Sequence, residues 1–212
     1  SVFLPEFHQA KDGAVVSPTV IGAAILQATS TLRFGTAVLA APLHHPIRIA
    51  EDALMLDWLS SGRFILGLGA GHQIADFAAY GVDHGTRTGQ FEEILHILGL
   101  CFSGKPFSHD GDFFQIEAEI TPRPYSEPRP PIWLGGHGPA GIDRAARLGP
   151  VGCDAAVDKL DVSGVGPRER LAAVRSVASV DVERRWWRRE PEIQSRRADK
   201  KRQKDKKNRT ET

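Results

Sequence analysis

Short apolar segments alternate with helix signals through the first 149 residues, and this alternation restricts the fold more than any other feature. Four apolar segments predict strands at Val2–Phe7, Leu32–Leu39, Arg63–Leu68 and Ile132–Leu134. Pro18, Pro46 and Arg87 begin predicted helices that end near Ser30, Ser61 and Phe102. Connections of helix length join parallel strands. The sequence therefore predicts an α/β fold, as either an open doubly wound sheet or an arc of a barrel.

In both arrangements, ligands bind at the carboxyl ends of the strands. The glycine-rich turn Leu134-Gly-Gly-His-Gly-Pro139 gives the strongest local signal, because it joins a strand to a helix predicted at Pro139–Leu148. Backbone N–H groups at such a helix start favour an anion such as phosphate. Arg87, at the start of another helix, is a second phosphate candidate. The alternatives are a tight structural connection and a surface guanidinium, and spacing alone does not decide between them.

Five motifs follow one another between residues 30 and 136. They are Ser30–Leu39 (STLRFGTAVL), His45–Asp52 (HPIRIAED), Leu56–Phe64 (LDWLSSGRF), Phe77–Gly81 (FAAYG), and Pro122-Arg-Pro with Pro131–Gly136 (PIWLGG). Together they resemble the luciferase-like monooxygenase family, which includes bacterial luciferase, and the resemblance is nearly continuous over residues 2–149. It implies an α/β fold of the TIM type, here a partial (β/α)₈ barrel.

The resemblance also implies a chemistry. A member of this family is expected to be a monooxygenase that uses reduced FMN and O₂ on a small organic substrate, with a flavin reductase as a candidate partner. A related branch uses the deazaflavin F420, which is the alternative cofactor. Carried over by position, the cofactor contacts are Ala37, Val38, Arg87, Gly136, His137 and Gly138. Ala37-Val38 corresponds to a bulged strand end, often with a non-prolyl cis peptide, behind the flavin ring. Arg87 and residues 136–138 correspond to the clamp on the flavin phosphate.

The chain departs from the family pattern at Glu6-Phe7-His8, where many members have Glu-His-His. Phe7 can neither donate nor accept a proton, so His8 is the candidate catalytic residue, although adjacent strand residues point to opposite faces. Gly138 replaces a frequent serine of the phosphate clamp, and Ala70 replaces the phosphate-binding arginine of luciferase itself. Because of these departures, the alternative is that the chain binds flavin without catalysis or is a degraded fragment.

The other titratable residues suggest simpler roles. His44 and His45 alternate in direction and have no ligand partner at metal-site spacing, so we expect structural or flavin-edge roles and no metal site. His72 follows a glycine-rich strand end and is either a substrate contact or a solvated loop residue. Glu92 and Glu93 lie near a helix start, where carboxylates stabilise the helix dipole.

Composition changes after Gly149 and divides the chain into three predicted parts: a partial barrel at 1–149, an unmatched, weakly structured segment at 150–182, and a basic tail at 183–212. The tail has 13 Lys and Arg against 6 Asp and Glu. Its final stretch, RRADKKRQKDKKNRTET, has almost no apolar residue, which favours a disordered, solvated extension over a nucleic-acid-binding arm.

An arc of four or five strands leaves sheet edges unpaired. We therefore expect a fragment, a frame-shifted or degraded product, or a subunit that another chain completes in a homo- or hetero-oligomer, with impaired activity. Two cysteines without metal-ligand spacing favour a cytoplasmic location. No apolar run approaches the ~20 residues of a membrane span, and no secretory signal is recognisable.

Overall fold

The structure is a computed structural model that describes residues 1–9, 15–135 and 155–157. Its helices are α1 (Pro18–Ala28), α2 (Pro46–Ser60), α3 (Ile74–Tyr80) and α4 (Arg87–Phe102), with 3₁₀ turns at Ala41–Leu43 and His84–Thr86. Its strands are β1 (Val2–Leu4), β2 (Phe34–Thr36), β3 (Leu39–Ala40), β4 (Phe64–Gly69), β5 (Phe107–Asp110), β6 (Gln115–Ala118), β7 (Ile132–Gly135) and β8 (Ala155–Val157). The predicted helix at Pro139–Leu148 and the basic tail lie outside the described residues.

The main sheet is parallel, as the sequence predicts. Its strand order is β1-β2-β4-β7-β8, and β3 also pairs with β4. Each strand on this path is added next to its predecessor, in parallel and at the same growing edge. A doubly wound sheet would reverse direction from its first strand. The observed order is that of a barrel arc, which resolves the choice that periodicity left open.

The helices lie in the same sequential order as the strands. Helix α1 contacts α2, and α2 contacts α4. Apolar side chains from these three helices and from the strands form one buried core, in which the rings of Phe34 and Phe64 stack 6.2 Å apart. None of the described helices has the length and hydropathy of a membrane span.

Helix boundaries agree closely with the sequence signals. Proline occupies the first turn of both α1 and α2, where its missing N–H costs no hydrogen bond. Helix α2 ends at Ser61, which adopts a left-handed conformation before Gly62. Helix α4 spans Arg87–Phe102, the range that the sequence predicts.

Two strand predictions were too long, and one helix was missed. Strand β1 ends at Leu4 instead of Phe7. The strand expected at Leu32–Leu39 is divided into β2 and β3. Helix α3 occupies a segment whose Gly, Asp and His content predicted a loop; it buries only Asp76 and Phe77. Strand β8 falls within the predicted weakly structured segment and extends the parallel ladder.

The β5–β6 hairpin departs from the barrel pattern and is fixed by Glu93 of α4. The Glu93 carboxylate accepts hydrogen bonds from the backbone N–H groups of Phe113 and Phe114 and lies 2.9 Å from Nε2 of His109. Burial raises the pKa of Glu93, but the hydrogen bond to His109 and those from Phe114 and Phe113 outweigh burial, so the net pKa is lowered from its ordinary value of 4.5. Glu93 therefore anchors the hairpin as well as lying near a helix start.

This lowered pKa predicts a pH-dependent stability. A carboxyl group with a lower pKa in the folded state stabilises the fold above its unfolded pKa, and that contribution is lost as the pH falls through the folded value. We expect the free energy of unfolding to fall as the pH drops below about 4.5, and Glu93→Gln to remove this part of the pH dependence. Urea unfolding at several pH values measures the pH dependence of the free energy of unfolding. Glu117→Gln on exposed β6 is the control, and equal pH profiles for the two variants would contradict the prediction.

Candidate functional site

A buried carboxylate, Glu6, lies at the centre of a polar cluster beyond the carboxyl end of β1. Its Oε1 atom lies 3.1 Å from Nε2 of His8 and 2.7 Å from Nε2 of His44. Its Oε2 atom accepts a 2.7 Å hydrogen bond from the backbone N–H of Ala40. A buried acid needs such partners to offset its loss of hydration. Glu6 therefore joins two separate segments of the chain, residues 6–8 and 40–44, at one edge of the sheet.

The cluster continues from His8 to Tyr80 at the end of α3. The Tyr80 hydroxyl lies 3.2 Å from Nδ1 of His8, and the two rings are 4.8 Å apart. Burial, followed by the charges of Glu6 and Asp76, raises the pKa of Tyr80 above its ordinary value of 10.0, so its hydroxyl stays a donor. A hydroxyl that donates to Nδ1 leaves the ring proton of His8 on Nε2, which donates to Glu6. The contacts connect Tyr80 through His8 to Glu6.

The early end of β1 explains the position of His8. Strand alternation was expected to turn Phe7 and His8 to opposite faces, but neither residue belongs to the strand. Phe7 is half-buried, and its backbone N–H donates to the carbonyl of Val15. The His8 side chain is only 8% exposed and lies against the Glu6 carboxylate. The catalytic role of His8 stays a prediction.

The break between β2 and β3 coincides with a cis peptide bond between Ala37 and Val38, which the resemblance implied. Next to the break, the Thr36 hydroxyl accepts a 2.8 Å hydrogen bond from the Gly67 N–H and donates a 2.7 Å bond to the Gly67 carbonyl. The Thr36 side chain thus makes the hydrogen bonds to Gly67 that a neighbouring strand's backbone would otherwise make. The backbone can then turn toward the carboxyl edge without leaving Gly67 unsatisfied.

Val38 lies between two glycines at the ends of neighbouring strands. A Cβ atom at Gly69 would lie 2.6 Å from Cγ2 of Val38, and one at Gly135 would lie 2.6 Å from Cγ1. Only glycine leaves room for the valine side chain at these two positions. Ala37 and Val38 are half-buried, so part of their surface remains open at the edge where a ligand is expected.

Arg87 is half-buried at the start of α4. Its Nη1 atom donates a 2.9 Å hydrogen bond to the carbonyl oxygen of His84 and lies 3.4 Å from Nδ1 of that residue. No carboxylate of the described residues forms an ion pair with this guanidinium. Nearby, Oδ1 of Asp76 and Nε2 of His84 are buried without a hydrogen-bond partner within the described part of the chain.

The remaining candidate residues are only partly accounted for. Gly136, His137 and Gly138 lie outside the described residues, so the second half of the expected phosphate clamp stays a prediction. His72 is exposed, and Ala70 is half-buried. Across the described ranges, no group of three or more His, Cys, Asp and Glu residues is arranged to hold a metal ion.

Sequence reasoning did not identify Glu6 or Tyr80 as parts of one site. A glutamate directly after an apolar strand segment was the available signal for Glu6, because a charge there must find buried partners or face solvent. Tyr80 offered no comparable signal, since the helix that carries it was not predicted.

A family model described as luciferase-like monooxygenase matches residues 1–179 of the chain. The chain belongs to the luciferase-like monooxygenase family. The match continues 30 residues beyond Gly149, where the recognised motifs end; the three-part domain division stays a prediction. Membership agrees with the partial-barrel fold described above.

Relatives in this family include enzymes with assigned reactions. The chain is 30% identical over 163 residues to limonene 1,2-monooxygenase from Rhodococcus erythropolis, which covers 72% of this chain and 42% of that enzyme. Other curated relatives are the oxygenase component of flavin-dependent trigonelline monooxygenase from Acinetobacter baylyi and the beta chain of alkanal monooxygenase from Aliivibrio fischeri. The chain spans about two fifths of the length of the curated relatives that it matches most strongly.

Solved structures show the same fold. The oxygenating constituent of 3,6-diketocamphane monooxygenase from Pseudomonas putida, in complex with FMN, has a TM-score of 0.64 at 21% identity over 84% of this chain and 51% of that one. An F420-dependent secondary alcohol dehydrogenase has a TM-score of 0.64 at 22% identity over 85% of this chain and 56% of that one. Both cofactors expected from the sequence, FMN and its alternative F420, therefore occur among the luciferase-like neighbours.

Proposed function

We propose that this chain supplies the flavin-phosphate side of a luciferase-like monooxygenase that acts with reduced FMN and O₂ on a small organic substrate. The observation that carries the proposal is Arg87, a half-buried guanidinium at a helix start with no carboxylate partner among the described residues. Such a group is suited to a phosphate, because an arginine presents several N–H donors in a fixed plane.

Residues at the carboxyl edge of the sheet are also compatible with a bound flavin. Ala37 and Val38 offer a small apolar surface at the carboxyl edge, which suits a planar ring system. When bound, reduced flavin supplies the electrons that activate O₂.

The chain's own residues would bind the flavin phosphate, orient the ring and exchange protons with the substrate. Arg87 would hold the phosphate, while the packing of Val38 between Gly69 and Gly135 fixes the surface behind the ring. Glu6 fixes two imidazoles and, through His8, the Tyr80 hydroxyl. A site with positioned groups loses less entropy on reaching the reactive geometry. A separate flavin reductase is the proposed partner, which the family resemblance implies and which the name of one curated relative, the oxygenase component of a flavin-dependent monooxygenase, supports.

Removing the guanidinium is expected to weaken FMN binding selectively. Arg87→Gln should raise the Kd of the full chain for FMN about 10- to 100-fold, because a charge-assisted hydrogen bond contributes about 1.5–3 kcal/mol. Riboflavin has the same ring without the phosphate and serves as the matched ligand. Its Kd should change less than twofold, as measured by isothermal titration or by flavin fluorescence.

A second arginine provides the matched protein control. Arg48→Gln removes an exposed guanidinium that pairs with Glu51 and Asp52 on the outer face of α2. It should leave both Kd values unchanged. Equal losses for FMN and riboflavin in Arg87→Gln would contradict a phosphate role, and no flavin binding by the folded, unchanged chain would contradict the proposed function.

A non-catalytic flavin-binding protein is the second candidate, favoured by Phe7 at the position where relatives often have a histidine. It predicts FMN binding without O₂ consumption when a reductase and a reductant are supplied. Oxygen-electrode measurements with a broad aldehyde, ketone and terpene panel separate the two candidates. Parallel titration with F420 tests the alternative cofactor.

A further inference from the structure

We infer that His44, held by Glu6, is the accessible proton acceptor of this site. The inference rests on the proposed function, because it assigns a specific residue to proton transfer at the same carboxyl edge. His44 is contributed by the segment before α2, far in sequence from the Glu6-Phe7-His8 segment.

The contact with Glu6 fixes which nitrogen of His44 carries the proton. Nε2 lies 2.7 Å from Oε1 of Glu6, a distance typical of a charge-assisted hydrogen bond. The Glu6 side chain is 1% exposed, and its other oxygen is occupied by the Ala40 N–H, so the carboxylate cannot easily turn away. A carboxylate accepts and does not donate. The proton therefore belongs on Nε2, and the lone pair belongs on Nδ1.

His44 is the better proton acceptor of the two imidazoles on Glu6. Both ring nitrogens of His8 are engaged, one by Glu6 and the other by Tyr80, and its side chain is 8% exposed. The side chain of His44 is 29% exposed, and Nδ1 has no hydrogen-bond partner in the described part of the chain. We therefore expect substrate to reach the imidazole of His44 and not that of His8.

The charged groups around His44 would stabilise a transient imidazolium cation on this residue. Glu6 faces it from the segment after β1, and Asp52 of α2 interacts with it electrostatically, although Arg48 lies next to Asp52. In the proposed step, an O–H or N–H bond of the substrate breaks and an N–H bond forms at Nδ1, with no change of oxidation state. The imidazolium is stabilised by Glu6 and later returns the proton to solvent or product.

The tautomer of His44 tests the inference without any flavin. Long-range ¹H–¹⁵N spectra of the imidazole rings in the full chain should show His44 protonated on Nε2 and unprotonated on Nδ1 at a pH where the ring is neutral. Glu6→Gln should give a mixture of tautomers, since an amide cannot accept from His44 and Ala40 with both atoms. A His44 ring protonated on Nδ1 would overturn the inference, whether or not flavin binds.

Kinetics test the proton transfer itself. His44→Gln should lower kcat about 100-fold, within the range of general acid–base catalysis, with the Kd for FMN changed less than twofold. Imidazole added to His44→Ala should restore part of kcat. His96→Gln, an exposed histidine on α4, is the control and should leave kcat unchanged.

The outcomes separate the two proposals. Unchanged kcat in His44→Gln overturns the role of His44 but leaves the proposed function intact. A folded, unchanged chain that binds FMN without turnover contradicts the monooxygenase, and the tautomer of His44 then decides whether Glu6 positions this imidazole as inferred.

Discussion

An alanine at Gly67 is expected to prevent stable folding of the described sheet, with a loss of more than about 4 kcal/mol in the free energy of unfolding. The added Cβ atom would overlap the carbonyl oxygen of Thr36 on the neighbouring strand. That oxygen belongs to the backbone, so no side-chain rotation relieves the overlap. Strands β2 and β4 would have to separate where the Thr36 hydroxyl joins them.

Urea unfolding of the full chain, followed by far-ultraviolet circular dichroism, measures this loss. Gly81→Ala is the matched control: Gly81 has a φ of +69°, but an added Cβ would meet no atom within 4 Å. It should cost roughly 1–2 kcal/mol from backbone conformation alone. If the two variants unfolded at the same urea concentration, the close approach of Gly67 to Thr36 would not limit stability.

Helices α1, α2 and α4 were predictable because their ends depend on local chemistry. Proline in the first turns of α1 and α2 and the Ser61-Gly62 stop act within a few residues of the boundary. Apolar residues at helical spacing marked α4, and the observed range Arg87–Phe102 agrees. The order of strands and helices then predicted the parallel sheet.

The break between β2 and β3 was not predictable from the residues alone. The segment LRFGTAVL is continuously apolar, which is typical of one buried strand. What divides it is nonlocal: Thr36 bonds to Gly67, 31 residues away, and Val38 fits between Gly69 and Gly135. Only the family resemblance pointed to this position, through Ala37-Val38.

The polar cluster around Glu6 was not predictable for the same reason. Glu6, His44 and Tyr80 come from separate parts of the chain, and no spacing rule connects them. The sequence did indicate that Phe7 breaks the family pattern. It did not indicate that β1 ends at Leu4, which lets His8 turn toward Glu6.

Loss of the Asp57 carboxylate is the second large effect expected. Asp57 lies on α2, is fully buried, and accepts hydrogen bonds from the N–H groups of Tyr125 and Ser126 at 2.9 and 2.8 Å. The Ser126 hydroxyl donates a third bond of 2.6 Å. These bonds fasten the segment that leads into β7, so Asp57→Ala should destabilise the chain by about 3–5 kcal/mol.

Hydrogen exchange tests whether this loss has the proposed cause. In Asp57→Ala, the amides of Tyr125 and Ser126 should exchange faster than those of β5, because their acceptor is gone. Asp52→Ala removes a carboxylate of the same helix that forms an ion pair with exposed Arg48, and should cost less than about 1 kcal/mol. Equal losses for the two variants would contradict the anchoring role. The LDWLSSGRF segment can therefore bury the charge of Asp57, because distant hydrogen-bond donors that the local sequence does not reveal compensate the loss of hydration.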